Sequence, residues 1–500
     1  MSRLRQPTLS DFVLLIALMF VAFALAQALV EHLTLAGEVI RYPYPLEYGE
    51  GPILDQAVRL ARGESIYPAN LSSAPYRVTN DPPLFHLLQA PFIASSGPAY
   101  WYGRAISLAA ALAAAACLVV IAQSLTGDWM ASLVGGFLLL AFPHVAFWSL
   151  FNRADTLALA LSLAALSVIV RWSGRRFGVA LAAVLFILAI YTRLDFALAG
   201  PATAVAWLMF QKRRTQALAL LAGVGGGALA IFLALNLVTS GGFFMHTVVA
   251  GSSGFSLFPV VGQFVNLFVH AAFVIIGGIL FLVLERTTEP TRSWHFALIY
   301  VVCSALAGLK AGLPGADVNG VYELVAAVCL LTASAMAWMG GNPWFRIGAL
   351  AVVALQLTDL RDWTRDNYTP IVATKMQLQR EVTQLAGMMQ QAGGDVLADE
   401  FNGLLPLNGR RIYIQPAEFA QLQQAGLWND AQLVESISRR AFPIIALYEP
   451  IGQPAQIVRR WTPRVRQAIY ANYEQTDRLA ETLIYTPKRG ADGSRSSATK

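Results

Sequence analysis

Long apolar runs alternate with short polar ones along most of the chain. Runs of about 20 residues, the length a helix needs to cross the hydrocarbon core of a bilayer, lie near 11–31, 103–124, 130–149, 155–171, 177–192, 196–210, 216–239, 263–284, 295–310, 320–339 and 344–359. The pattern predicts about eleven transmembrane helices. The runs at 177–192 and 196–210 are short and close together, and read either as tilted spans or as one broken span. Two stretches depart from the pattern. One is the polar segment between the first two runs, residues 31–102, which holds Glu47, Glu50, Asp55, Glu64 and Asp81. The other follows the last run. There, residues 371–392 carry a helical apolar stripe closed by Gly393-Gly394. Val396-Leu-Ala, Arg411-Ile-Tyr-Ile, Ile444-Ile-Ala-Leu-Tyr and Thr482–Tyr485 read as strands, and 416–426, 430–440 and 463–475 as helices. The expected organisation is a helical polytopic membrane domain over 1–360, with 31–102 as a loop outside it. A small α/β domain over 361–487 and a disordered polar tail over 488–500 follow.

Composition agrees. Apolar residues make up 56% of the 500-residue chain and charged ones 13%, and the mean hydropathy is +0.53. Soluble domains carry about 25% charged residues, so a string of soluble domains is excluded. The net charge of +6 is no nucleic-acid footprint, because the basic residues sit in short clusters between apolar runs. Arg171, Arg175, Arg176, Lys212, Arg213, Arg214, Arg286, Arg292 and Arg346 fall on one side of the membrane, and Arg153, Arg193 and Lys310 on the other. The positive-inside bias places the N-terminus in the cytoplasm, and the Glu-rich loop and everything after about 360 outside. The run from Phe12 to Val30 is long for a signal-peptide core and reads as an uncleaved helix. Cys117, Cys303 and Cys329 lie far apart inside apolar runs and read as small hydrophobes.

The outside loop carries the chemistry worth weighing. In Glu47-Tyr-Gly-Glu50-Gly-Pro52 the glycines and proline mark a turn. The stretch from Ile53 to Gly63 then reads as an amphipathic helix able to lie in the membrane interface. The two glutamates sit at its N-terminal end, where negative charge is favoured. The residues alone leave open whether they merely cap the helix or act on a substrate. Asp81-Pro-Pro-Leu84 sets the re-entry to the membrane, and Asp81 either caps the next helix or joins the carboxylates. Arg153, Asp155, Arg193, Asp195, Lys310, Asn319 and Glu323 all fall at span ends on the same side as this loop. Charges there turn into the bundle or a cavity, and arginines and lysines in such a place suit a phosphate. The Gly-, Ser- and Phe-rich stretch 240–262, with His246, reads either as a loop dipping toward the membrane or as a plain connector.

These features together resemble the GT-C superfamily of polytopic glycosyltransferases, most of all the bacterial branch related to protein O-mannosyltransferases and the lipid A aminoarabinose transferase. The resemblance covers roughly residues 10–360. It rests on Glu47-Tyr-Gly-Glu50-Gly, on Ala57–Gly63 continuing to Tyr67, and on Pro82-Pro83-Leu84. Arg153-Ala-Asp155, and Lys310 before Asn319 and Glu323, complete it. It implies a sugar donor on a polyprenyl phosphate and an active site on the outer face of a bacterial cytoplasmic membrane. It also implies a first-loop acid that serves as general base or metal ligand. Glu50 is preferred because it directly precedes the helix, with Glu47 second. Asp81, Arg153, Asp155, Arg193, His246, Lys310, Asn319 and Glu323 are the substrate-binding candidates. Glu47 and Glu50 could hold a divalent cation such as Mg²⁺ or Mn²⁺. The acceptor would be a glycan, lipid or protein. A transporter or flippase is the competing class, and would show internal repeats and charges near span midpoints. A non-catalytic envelope scaffold would not need so many spans.

Overall fold

The computed structural model describes residues 8–252, 255–287, 289–313, 318–450 and 455–488. The tail 489–500 and the side chain of Asn319 lie outside the described residues. The molecule is a helical polytopic membrane protein with a small C-terminal sheet. Each predicted apolar run is helical. Among the described residues, six helices are long and apolar enough to cross a membrane, or eight if each of two bent pairs is one span. One pair bends by 61° between Trp129–Ala141 and Pro143–Leu150, where Pro143 cannot continue the preceding helix. The other bends by 90° between Leu257–His270 and Ala272–Arg286.

The first helix, α1, runs from Leu9 to Arg41 behind a capping box in which Thr8 and Asp11 exchange bonds. It therefore extends ten residues past the predicted end of the first run. The reason is that its polar residues find partners: Glu31 pairs with Arg361 at 2.5 Å, and His32 Nε2 lies 3.2 Å from Ser149 Oγ. The first loop begins at Tyr42.

The predicted interfacial helix is Glu50–Ala61 (α2), and it does not lie on the membrane surface. Every residue from Glu50 to Arg59 is buried. Its polar positions face partners rather than headgroups: Gln56 Nε2 donates to Val78 O at 3.2 Å, and Asp55 pairs with Arg77 at 3.5 Å. Helices α3 (Leu84–Ser96) and α4 (Trp101–Thr126) follow. Ala110, Ala111, Ala114 and Ala115 of α4 are buried, and α4 packs against both the Trp129–Ala141 and the Asp155–Trp172 helices.

The C-terminal sheet has strands β1 (Val396–Ala398), β2 (Ile444–Tyr448), β3 (Tyr473–Leu479) and β4 (Thr482–Pro487) in the order β1-β2-β4-β3. β1 and β2 are parallel and the other pairs antiparallel. The β3–β4 hairpin turns on Ala480 and Glu481, both with positive φ, as a tight two-residue hairpin requires. Three expectations are corrected here. The helix predicted over 463–475 ends at Asn472 and gives way to β3. The stripe over 371–392 is two helices, Thr369–Gln377 and Gln379–Gln391. The strand predicted at 411–414 joins no sheet: Ile414 bridges Tyr76 of the first loop.

That bridge is part of a seam binding the loop to the domain. Tyr76 N donates to Tyr413 O at 2.7 Å and Gln415 N to Tyr76 O at 3.1 Å. The Gln415 side chain accepts from Val78 N at 2.6 Å. The Tyr76 ring is buried against Phe419 and Trp428. Gly51 and Gly403 meet backbone to backbone: a Cβ on Gly51 would lie 2.8 Å from Gly403 Cα.

Candidate active site beneath the C-terminal domain

Glu50 is fully buried and turned away from any opening. Its Oε1 accepts from Arg104 Nε and from Asn152 N, and its Oε2 from Arg104 Nη2 and Leu46 N, each at 2.8 Å. Four donors fill the lone pairs of one carboxylate. Arg104 is equally committed: its remaining N–H groups reach the carbonyls of Val39, Tyr42 and Tyr44 at 2.6–2.7 Å. The pair locks the turn where α1 ends and α2 begins. With every lone pair taken, Glu50 is held as a positioning residue, and this geometry leaves it no free oxygen for the role of acting acid. Arg104 escaped the sequence reading, although a lone arginine one turn into an apolar run is a signal in itself.

Glu47 is different. Its side chain keeps a quarter of its surface open. Among the described residues only Oε2 is engaged, by Gly49 N at 2.8 Å and Arg153 Nη1 at 3.2 Å. Burial pushes its pKa above the ordinary carboxylate value, against the pull of Arg153 and the Gly49 N–H.

From Glu47 a ladder of alternating charge runs across the mouths of the helices. Arg153 Nε reaches Asp155 Oδ2 at 3.0 Å. Asp155 Oδ1 takes Arg193 Nη1 at 2.5 Å. Arg193 also holds Asp195 at 3.0 Å and, more loosely, Asp81 at 3.8 Å. The stem of the ladder follows from local structure: Asp155 opens the Asp155–Trp172 helix, where its charge is favoured. Arg153 also stacks on Trp148, 4.8 Å from the ring centroid. Lys310 ends the ladder, donating to the Asp195 carbonyl at 3.0 Å and facing the Phe196 ring. Among the described residues it has no carboxylate within ion-pair distance. Burial raises the Asp81 pKa, with Arg193 offsetting part of the effect. Burial also pushes Asp195 upward, but Arg193 and Lys310 outweigh it and hold this carboxyl below its usual range.

Two predicted residues stand apart from the ladder. His246 is buried, with Nδ1 accepting from Thr79 N at 2.9 Å and Nε2 facing Pro68 O at 2.8 Å. Both ring nitrogens are spent on stapling the 240s segment to the first loop, so a role in touching substrate is not what this geometry offers. Burial lowers its pKa to about 4, so the ring is neutral at pH 7. Glu323 opens the Tyr322–Trp338 helix deep inside the bundle and accepts from Ser162 Oγ at 2.8 Å. Asn319 belongs to the short turn Val318–Val321 that leads to it.

The C-terminal domain roofs the Glu47 end with residues the sequence did not single out. Tyr48 Oη donates to Glu418 Oε2 at 2.5 Å, and Arg460 stacks over the Tyr48 ring at 4.7 Å. Lys375 Nζ donates to Leu46 O at 2.8 Å and also pairs with Glu400, which Arg460 holds from the other side at 2.7 Å. Burial opposes the charge on Glu400, but Lys375 and Arg460 together keep its pKa below the ordinary value. No sequence rule could pair positions more than 300 residues apart.

The residues do not fit a divalent cation shared by Glu47 and Glu50. Glu50 has no free lone pair and Glu47 is bound to Arg153. Among the described residues no three His, Cys, Asp or Glu side chains converge.

The architecture itself is found elsewhere. No family profile and no curated protein sequence matches the chain. Solved structures do. ArnT from Cupriavidus metallidurans bound to undecaprenyl phosphate superposes with a TM-score of 0.63 at 12% identity, covering 92% of this chain and 97% of that one. The apo state of the same protein gives 0.62 at 12% identity, with the same coverage. This chain has the same fold as ArnT. The match covers more of the chain than the sequence resemblance does, and so reaches into the C-terminal domain. In this ArnT-like chain the ladder, the partly open Glu47 and the roof all meet at one end of the helical bundle.

Proposed function

We propose that the protein is a membrane glycosyltransferase that moves a sugar from a polyprenyl-phosphate donor to an acceptor hydroxyl at the outer face of the cytoplasmic membrane. The observation that carries this reading is Glu47: a carboxylate with one engaged oxygen, a raised pKa and a place at the head of a ladder of alternating charge. The fold shared with a protein that binds undecaprenyl phosphate supports the choice of donor.

In this reading the acceptor O–H lies against the open side of Glu47. The acceptor oxygen attacks the anomeric carbon as its proton passes to Glu47, and the bond from that carbon to the phosphate oxygen breaks. The electron pair leaves with the lipid phosphate, and configuration inverts in this single displacement. Arg193 and Lys310 stabilise the charge that develops on the departing phosphate. Lys310 is the freer of the two and is the first contact for the donor. Asp155 and Arg153 hold both ends of this arrangement in register. Asp81 lies beside Arg193 and helps to seat the donor. A pKa raised by burial suits Glu47 to proton acceptance nearer neutral pH than an ordinary carboxylate. The roof of Tyr48, Glu418, Arg460 and Lys375 encloses the acceptor side, so the C-terminal domain shapes acceptor choice.

The test is to supply purified protein with a labelled polyprenyl-phosphate sugar and candidate acceptors. Glycosylated product together with free polyprenyl phosphate supports the reading. Movement of intact donor across a vesicle membrane without its consumption would make the protein a flippase instead.

A further inference from the structure

At the opposite ends of the same helices lies a cavity of about 640 Å³. The Asp155–Trp172 helix connects the two places: 18 residues long, it carries the chain about 27 Å from the ladder to the cavity. That is close to the thickness of a bilayer core. Three separate turns supply its basic lining: Arg171 and Arg175, then Arg213, then Arg292. No acidic residue lines it among the described residues, and none of the four arginines forms an ion pair there. Ser173 Oγ accepts from Arg213 Nη1 at 2.9 Å and so fixes that guanidinium at the wall. Arg292 is held over the buried Trp207 ring at 5.7 Å. Two helices, Arg176–Thr192 and Arg214–Val238, begin at this cavity with no side-chain cap and no acid in the first turn. Their free N–H groups add to the positive field.

Four like charges around one space repel one another, and an anion among them reverses the sign of that interaction. The volume is that of a small-molecule site. Trp172 and Phe210 line it and are themselves exposed, at 42% and 46%. Large aromatics at the end of a span mark headgroup depth. We propose that this cavity binds the phosphodiester headgroup of an anionic phospholipid from the membrane face opposite the ladder. The positive-inside pattern makes this the cytoplasmic leaflet, and basic pockets between spans there are suited to such headgroups.

Native mass spectrometry of the intact chain in detergent tests this. Phosphatidylglycerol or phosphatidylcholine is titrated in, and inorganic phosphate serves as a soluble competitor. Retention of phosphatidylglycerol over phosphatidylcholine is expected. Binding should weaken about fivefold for each arginine neutralised, hence about 25-fold in Arg213→Gln/Arg292→Gln. Arg286→Gln, an exposed arginine on the same face outside the cavity, should bind like the parent. Should the double variant fold poorly, the exposed pair Arg171→Gln/Arg175→Gln carries the same expectation, and Arg213→Lys/Arg292→Lys should retain the preference. Unchanged phosphatidylglycerol binding in a folded double variant overturns the proposal. So does an equal loss in Arg286→Gln, which would mean diffuse surface attraction. Binding of inorganic phosphate with no preference between the two lipids overturns the lipid assignment.

Discussion

Arg104 meets Glu50 side by side, Nε to Oε1 and Nη2 to Oε2, both at 2.8 Å and both fully out of water. Two residues 54 positions apart thereby close the turn from which Glu47 projects. Removing one partner of a buried pair leaves an uncompensated charge at a cost of about 3–5 kcal/mol. Arg104→Met and Glu50→Leu are therefore expected to lose thermal stability and monodispersity in detergent, whereas Glu47→Gln keeps both. Gel-filtration profiles after stepwise heating separate the two classes. A Glu50→Leu variant as robust as the parent would contradict the positioning role.

The pH dependence has two parts, from carboxyls shifted in opposite directions. Glu47 must be ionised to accept a proton, and its pKa is raised from the ordinary 4.5. Transfer is therefore expected to climb with pH through a midpoint above 4.5, and a kcat/KM profile checks it. Glu400 is shifted the other way, below 4.5. Its contribution to holding the roof is present above 4.5 and lost as pH falls through the lowered value. Melting temperatures of parent and Glu400→Gln, measured from pH 7 downward, should converge in that lower window.

Lys310 is expected to act on the donor. Hydrogen bonds to a charged group contribute about 1.5–3 kcal/mol, so Lys310→Met should raise the donor KM by about tenfold or more. The acceptor KM should hardly move. Initial rates with each substrate varied in turn decide the point, and an effect confined to the acceptor would place the phosphate elsewhere.

The closeness of Gly51 and Gly403 makes the seam between loop and domain testable. A Cβ on Gly403 would fall 2.0 Å from Tyr100 Oη and 2.8 Å from Gly51 Cα. Backbone cannot yield there as a flexible side chain can. Gly403→Ala is expected to loosen the domain and speed amide exchange at Tyr76 and Val78, whose N–H groups bond across the seam. Peptide-level hydrogen exchange over residues 70–80 reads this directly.

Much of this architecture was legible in the sequence, because hydrophobic run length reports helices directly and charge at span ends reports facing. Glu47, Arg153, Asp155, Arg193 and Lys310 were all placed on one side before any contact was known, and the structure joins them into one ladder. What escaped depends on tertiary pairing. Glu50 and Glu47 look alike in sequence, and only Arg104, far along the chain, makes one structural and leaves the other open. The α2 helix has an amphipathic pattern that suits a membrane surface, yet its polar face is covered by the first loop and the C-terminal domain. The Arg411–Ile414 stretch has strand composition, but its partner is Tyr76 rather than a sheet. His246 gave no hint that both its nitrogens were spent on backbone.

The most direct test of the central claim is the turnover of Glu47→Gln against the parent, both purified and folded, with a polyprenyl-phosphate sugar at saturating concentration. Loss of a general base predicts a fall in kcat of about 10²- to 10⁴-fold with the donor KM little changed. Full activity in Glu47→Gln, or a comparable collapse seen only in Asp81→Asn, would contradict it and move the base to the Asp-Pro-Pro turn.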